Sequence, residues 1–157
     1  MFHIGDKVFY PMHGAGVIEA IEEREILGEM QQYCVFTIPS SNMDVMIPMK
    51  NMRKTGIRQV VDRNTVKEIL FDFHNAEPDC QLPWKERFKQ NSDKMKTGEM
   101  QDGAEVVRDL LFRMKEKPLN ASEKQMFTNA KKILISELSL IKDISEMQAA
   151  DMLEITH

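Results

Sequence analysis

The only tryptophan of the chain lies among basic residues, a combination that favours contact with an anionic partner. Trp84 follows a proline and is followed closely by Lys85, Arg87 and Lys89. A proline suits the start of a helix because it lacks the N–H group that the first turn leaves unpaired. The free N–H groups of such a turn attract phosphate, and an exposed aromatic ring beside them can enter a nucleic-acid groove as a wedge. The pattern therefore predicts a nucleic-acid contact at these four residues.

The same residues also have an ordinary structural interpretation. Lysines and arginines on amphipathic helices commonly form solvated faces with ion pairs four residues apart, and Glu105, Arg108, Asp109 and Arg113 are interpreted in this way. A lone tryptophan is more often a core or domain-interface residue than a ligand contact. The alternative function is therefore a protein-interaction adaptor, in which Trp84 locks two domains together and makes no direct DNA contact.

Charge is segregated along the chain. The 157 residues carry a net charge of -4. Residues 84–132 nevertheless hold 12 Lys and Arg against 8 Asp and Glu, a net charge of +4, whereas residues 133–157 hold 1 against 5, a net charge of -4. The positive block begins at the tryptophan, so the overall acidity is compatible with a local anionic partner.

The sequence indicates neither catalysis nor a metal or cofactor site. Gly14-Ala15-Gly16 lacks the third glycine and the following helix of a dinucleotide-binding loop, so it is predicted to be a turn. The four histidines show no ligand spacing, and Cys34 and Cys80 are isolated. Because no nucleophile–base pair is indicated either, we expect a non-enzyme without cofactors.

Nothing in the sequence predicts a membrane association. No apolar run approaches the roughly 18 residues of a membrane span, and the first residues do not resemble a signal peptide. We expect a cytoplasmic, monomeric protein.

The first third of the chain has the pattern of a small antiparallel sheet. Runs of β-branched and aromatic residues end at proline, glycine or serine turns. Four or five short strands in about 55 residues predict a strongly bent sheet or barrel. Met43 and Met46 flank a predicted edge strand, and an uncovered edge is either an aggregation risk or a docking site for a partner strand. Arg24 would be the charged rim of such a site or an ordinary charge on a surface hairpin. The predicted strands are Lys7–Tyr10, Val17–Glu22, Tyr33–Ile38 and Met43–Pro48.

The rest of the chain has helical periodicity and helix-capping residues. The fold class is therefore α+β, with a β domain at residues 1–56, a helix and linker at 57–82, and a helical domain at 83–157. The predicted helices begin near Asn64, at Pro83 (ending at Gly98), near Glu99, at Asn120, and after Asp143 or Ser145, the last one running through Ile155.

Several motifs, taken in chain order, resemble one family. Together they indicate similarity over nearly the whole chain to the CarD/CdnL family of bacterial transcription regulators. The motifs are Phe2-x-Ile4-Gly5-Asp6-x-Val8-x-Tyr10-Pro11-x-His13-Gly14-Ala15-Gly16, Trp84 with Arg87 and Lys89, Gly98, Ala104-Glu105-Val106-Val107-Arg108-Asp109-Leu110, Ser122-Glu123-Lys124, Ala130-Lys131-Lys132-Ile133-Leu134 and Ser136-Glu137-Leu138.

The resemblance implies that the first domain is a Tudor/SH3-like barrel that binds the β subunit of RNA polymerase. Transcription-repair coupling factors carry a similar polymerase-binding domain. The residues expected in the polymerase-facing region are Arg24, Ile26, Met43, Val45 and Met46.

The resemblance also implies that the helical domain contacts promoter DNA, weakly and largely independently of sequence, at the upstream edge of the −10 element. Trp84 would be a minor-groove wedge that stabilises the open complex, and Arg87 and Lys89 would contact the DNA backbone. Two departures reduce the positive charge: Met46 and Glu86 stand where family members often carry basic residues. They imply a more apolar polymerase contact and a weaker DNA contact.

Overall fold

The computed structural model describes residues 2–77 and 82–154. Within these ranges an antiparallel sheet precedes five α-helices, which confirms the predicted α+β class. Residues 78–81 of the linker predicted after the first helix, and Ile155 at the predicted end of the last helix, lie outside the described residues.

Five strands form one antiparallel sheet in the order β4-β3-β2-β1-β5. This order leaves β4 with a single neighbour, β3, in the described sheet and confirms that Met43–Pro48 is an edge strand. The strands are β1 (Lys7–Tyr10), β2 (Gly14–Ile26), β3 (Glu29–Ile38), β4 (Met43–Pro48) and β5 (Arg58–Gln59).

Strands β2 and β3 are longer than the sequence predicts. Residues 23–32, here called the arm, pair only with each other and project beyond β1 and β4. Leu27 and Gly28 connect the two strands as a predicted turn, and both have positive φ angles, 55° and 80°. Two such residues form a turn whose twist matches that of the flanking strands. The sequence does not predict the arm, because its residues include several glutamates, and glutamate is less frequent in β-strands than in proteins as a whole.

The prediction that Gly14-Ala15-Gly16 is a turn is wrong, because these residues open β2. The turn lies just before them, at residues 11–13. A side chain at Gly16 would collide with the backbone carbonyl oxygen of Thr37. Glycine at this position therefore allows the backbones of β2 and β3 to approach each other closely.

The helices are α1 (Arg63–Asn75), α2 (Trp84–Thr97), α3 (Met100–Glu116), α4 (Ala121–Lys142) and α5 (Glu146–Asp151). Asp62 caps α1, and not Asn64: its carboxylate accepts a hydrogen bond of 2.7 Å from the Thr65 N–H, and this bond lowers the pKa of Asp62. Two other predicted helix starts are confirmed by N-caps at Asn120 and Ser145, and the predicted stop after α2 is confirmed by a left-handed Gly98. The last helix is shorter than predicted: α5 ends at Asp151, because the N–H groups of residues 152–154 bond three residues back and tighten the chain into a turn.

Alternating side chains on β1 connect two hydrophobic cores. Val8 faces the inside of the bent sheet and packs with Phe36 and Met52. Phe9 points the other way and joins the core of the helices. The sheet is therefore covered on both faces at β1.

Helix α1 belongs by packing to the helical part of the molecule. Its residues Val66, Ile69 and Phe73 are buried in the core formed with α3 and α4. The predicted segment 57–82 therefore contains a helix that helps to build the core of the domain after it. Together, α1 to α5 are called the helical body below.

The predicted solvated lattice on α3 is wrong for its two central residues. Arg108 and Asp109 are buried, with 3.0 Å between the arginine Nε and a carboxylate oxygen. Their place on the core-facing side of α3 explains this, because that helix is covered by both α2 and α4.

Helix α4 fastens the sheet to the helical body. The Ala15 N–H donates a 2.9 Å hydrogen bond to the Ser136 hydroxyl. The Glu137 carboxylate, only 1% exposed, accepts two hydrogen bonds of 2.8 Å from the guanidinium of Arg58 on β5. That guanidinium also lies 4.5 Å from the centre of the Phe9 ring. A bidentate, largely desolvated pair of this kind fixes geometry as well as charge.

We expect Glu137→Gln to destabilise the protein by about 3 kcal/mol, because Arg58 would keep a largely buried charge without a counter-ion. Urea unfolding measures this loss. Glu22→Gln is the control, since it breaks an exposed pair with Arg24 and should cost less than about 1 kcal/mol. Equal stabilities of the two variants would contradict the structural role of the Arg58–Glu137 pair.

Candidate functional site

Trp84 is the first residue of α2 and is 45% exposed. Its ring makes an edge-to-face contact with Phe88, one helical turn later, at 6.4 Å between ring centres. Pro83 is the N-cap and has no side-chain group that accepts a hydrogen bond, so no described side chain caps the first N–H groups of α2. Trp84 therefore presents an aromatic ring beside backbone donors that no side chain of the described residues caps.

The contact expected between Arg87 and DNA is at odds with the position of its side chain. Arg87 is only 5% exposed, and its Nε and Nη2 atoms donate to the Glu123 carboxylate at 2.8 and 2.9 Å. Its third nitrogen donates to the Leu82 carbonyl at 3.1 Å. Burial of Glu123 in α4 explains the inward orientation, since a buried carboxylate requires a counter-charge. Arg87 holds the chain just before Trp84 against α4.

The Arg87–Glu123 pair brings the N-termini of α2 and α4 to one corner of the helical body, called the Trp84 corner below. Lys85 and Lys89 are exposed there on α2, and Lys124 is exposed in the first turn of α4. Both helix dipoles add positive potential at this corner. The sequence does not assign Lys124 to this corner, because only the long-range pairing of Arg87 reveals that α4 begins beside α2.

The structure speaks against Trp84 as a lock between domains. The contacts that join the sheet to the helical body involve α4 and Arg58, whereas the Trp84 ring is exposed and contacts Phe88 of its own helix. The mechanical role proposed for the tryptophan in an adaptor thus has no support among the described residues.

The strand register divides the five predicted polymerase-facing residues between two faces of the sheet. Met46 lies opposite Val35, and Val35 lies opposite Ala20 on β2. Directly paired residues share a face, and alternate residues along a strand return to it. Arg24 and Ile26 therefore lie on the same outer face as Met46.

Met43 and Val45 point towards the core and do not fit a side-chain contact with a partner. Val45 is buried opposite Phe36, and Met43 packs against the same core opposite Ile38. A partner can reach this part of β4 only through the main chain of the edge strand. The sequence identified the strand, but the paired residues on β3 decide which of its side chains face outward.

The outer face combines apolar and charged groups. Met46 and Ile26 are 46% and 43% exposed. Arg24, on the arm, is exposed and pairs with Glu22 at 2.8 Å. A solvent-exposed pair of this type contributes little to stability. Arg24 can therefore leave Glu22 for a carboxylate of another protein at a small cost in free energy.

The described residues contain no group of three or more His, Cys, Asp and Glu that could hold a metal ion. None of the described helices is long and apolar enough to cross a membrane. Cys34 is buried, and desolvation, followed by the charge of Asp6, raises its pKa to about 11. A thiol that stays protonated at neutral pH is a poor nucleophile.

We expect Arg87→Met and Lys89→Met to differ in stability although both remove one positive charge. Arg87→Met leaves the Glu123 carboxylate buried without its counter-ion and should cost about 3 kcal/mol. Lys89→Met changes an exposed side chain and should stay within about 0.5 kcal/mol of the parent. Urea unfolding of both variants decides between an internal and a surface role for Arg87, because a surface role predicts parent-like stability for both.

Comparison with known proteins agrees with this two-part organisation. Residues 2–61 match the family described as the CarD-like/TRCF RID domain, and residues 67–154 match the family described as CarD, C-terminal domain. The protein YdeB of Bacillus subtilis (strain 168), named as a candidate transcription factor, is 57% identical over 148 residues, which cover 94% of this chain and 97% of YdeB. The chain therefore belongs to the CarD-like family of transcription factors.

Proposed function

We propose that this protein binds the β subunit of RNA polymerase through its sheet and stabilises the promoter open complex through the Trp84 corner. The DNA contact would lie at the upstream edge of the −10 element. The observation that carries the proposal is the exposed Trp84 ring, held at a helix N-terminus by the buried Arg87–Glu123 pair.

The charges of the Trp84 corner support a weak contact with DNA. Lys85 and Lys89 flank the tryptophan on α2, while Glu86 between them offsets part of their charge. With two to three phosphates neutralised, affinity falls roughly tenfold to fortyfold between 50 and 200 mM salt. In this proposal Arg87 is a positioning residue, and the DNA contacts come from Trp84, Lys85 and Lys89.

Attachment to polymerase compensates for the low affinity of the DNA contact. A tethered domain meets DNA at a high effective concentration, which raises the overall affinity by orders of magnitude without new contacts. Insertion of a wedge costs a few kcal/mol of base unstacking, and the cost falls where the duplex is already opening. The protein therefore binds the open complex better than the closed one, and this difference shifts the equilibrium.

The outer face of the sheet supports the polymerase contact. It presents Met46 at the free edge of β4 and Ile26 and Arg24 on the arm. An edge strand offers main-chain donors and acceptors to a partner strand, and neighbouring side chains supply specificity. Because Met46 is uncharged, the contact relies on apolar burial, with Arg24 as its charged part.

We expect Trp84→Ala to shorten the lifetime of open complexes at least fivefold on a promoter with a short-lived bubble, because one stacked aromatic contact is lost. The measurement is the decay of competitor-resistant polymerase–promoter complexes. Phe71→Ala is a matched control, since Phe71 is an exposed aromatic residue on α1. An unchanged lifetime with Trp84→Ala would show that the tryptophan is not a wedge.

We expect Arg24→Glu to weaken recovery of the β subunit in a pull-down by about tenfold, because reversed charge at an interface opposes association. Lys67→Glu, at an exposed position on α1, applies the same charge change away from the sheet and should have no effect. Parent-like binding of Arg24→Glu would place the polymerase contact on another surface.

A further inference from the structure

A groove of about 260 Å³ lies between α2 and α4 in the helical body. Apolar side chains form much of its lining, among them Phe88 and Met95 of α2 and Met126 of α4. Phe88 also contacts the Trp84 ring. The groove is thus continuous with the exposed aromatic residue of the Trp84 corner.

Polar groups at the groove have the chemistry of nucleobase recognition. Ser92, Gln125 and Asn129 contribute a hydroxyl and two amide groups, and the Gln125 amide donates to the Asn129 amide oxygen at 3.3 Å. None of the described residues that line the groove is acidic. Amide side chains both donate and accept hydrogen bonds and pair with base edges in known protein–DNA contacts. An apolar lining with a few polar groups is the usual composition of a site for a small planar ligand.

A row of lysines follows one side of the groove. Lys85, Lys89 and Lys96 lie on one side of α2, next to the groove residue Ser92, because their positions differ by near-multiples of a helical turn. All three are exposed. Within residues 2–77 and 82–154, none of them takes part in an ion pair. Such a row fits a polyanion with regularly spaced charges.

We propose that the groove takes a nucleobase swung out of the duplex next to Trp84, while the lysine row follows the backbone of that strand. This inference rests on the proposed DNA contact of the Trp84 corner. A cationic row beside an apolar, aromatic surface is how proteins bind single-stranded nucleic acid. Extrusion of a base costs least where the duplex is already unpaired, which is the place assigned to the wedge.

The third element at the groove is the turn between β1 and β2, which contributes Met12. Met12 has a φ angle of 71°, which is uncommon for a residue other than glycine, and its side chain is half exposed. Its backbone conformation has an energetic cost that the surrounding structure must support. Because its side chain is apolar, accessible and close to the groove, Met12 adds a wall from the sheet side to a groove made by the helical body.

The test uses the full chain and a short duplex with a single-stranded extension that carries 2-aminopurine at the first unpaired position. Binding is followed at low salt through 2-aminopurine fluorescence, which responds to the stacking of this base. Ser92→Leu fills the groove with an apolar side chain and should lower affinity at least fivefold, the loss of one stacked base. Gln90→Leu is the matched control, because Gln90 is exposed on α2 and does not line the groove.

A second variant keeps the test decisive if Ser92→Leu does not fold. Gln125→Ala removes an amide from an exposed position on α4 and should also weaken the 2-aminopurine response, with a thermal unfolding curve like that of the parent. Equal responses of the parent, Ser92→Leu and Gln125→Ala would overturn the inference. If the two groove variants lost polymerase binding but kept the 2-aminopurine response, the groove would bind a protein segment. That result would also overturn the inference.

The inference and the proposed function fail in different ways. If Trp84→Ala shortens the open-complex lifetime but the groove variants leave the 2-aminopurine response unchanged, the wedge stands and the base site is wrong. If the groove variants lose the response while Trp84→Ala leaves the lifetime unchanged, the base site stands and the wedge is wrong.

Discussion

Two buried carboxylates on α4 determine how the parts of this molecule are arranged. Glu137 is neutralised by Arg58 of the sheet, and Glu123 is neutralised by Arg87 of α2. A buried charge without its partner costs several kcal/mol, so each carboxylate favours the arrangement in which its arginine reaches it. Such pairs add little net stability over apolar residues of the same size. We infer that their main contribution is to select one geometry.

Through α4, the outer face of the sheet and the Trp84 corner have a fixed relation to each other. Gly98 reinforces this relation, because it ends α2 with a φ angle of 73°, and a side chain there would press on the Pro11 ring at 2.8 Å. A rigid link matters for a tethered DNA contact. Local concentration is highest when the connection matches the distance between the two sites. A loosely joined pair of domains would spread the tryptophan over many positions and lose part of this advantage.

The sequence predicts those features that local chemistry decides. Helix boundaries at Asn120, Ser145 and Gly98 follow from capping groups a few residues away, and the edge strand follows from its proline and its neighbouring turns. The orientation of Arg87 depends on Glu123 on another helix, and that of Val45 depends on the strand register that places it opposite Phe36. Charge and spacing alone describe an arginine near a tryptophan as a surface cation, whereas a buried carboxylate turns it inward.

The low charge of the Trp84 corner is consistent with selectivity for opening DNA. A factor that binds the closed and open complexes with equal affinity does not shift the equilibrium between them, however tightly it binds. Phosphates are present in both complexes, so lysine contacts raise both affinities together. An aromatic wedge gains most where base pairs are already unstacking. With Arg87 buried and Glu86 opposing the adjacent lysines, the aromatic ring would supply a larger share of the binding energy in the proposed DNA contact. A more basic corner would bind DNA more tightly and distinguish the two complexes less well.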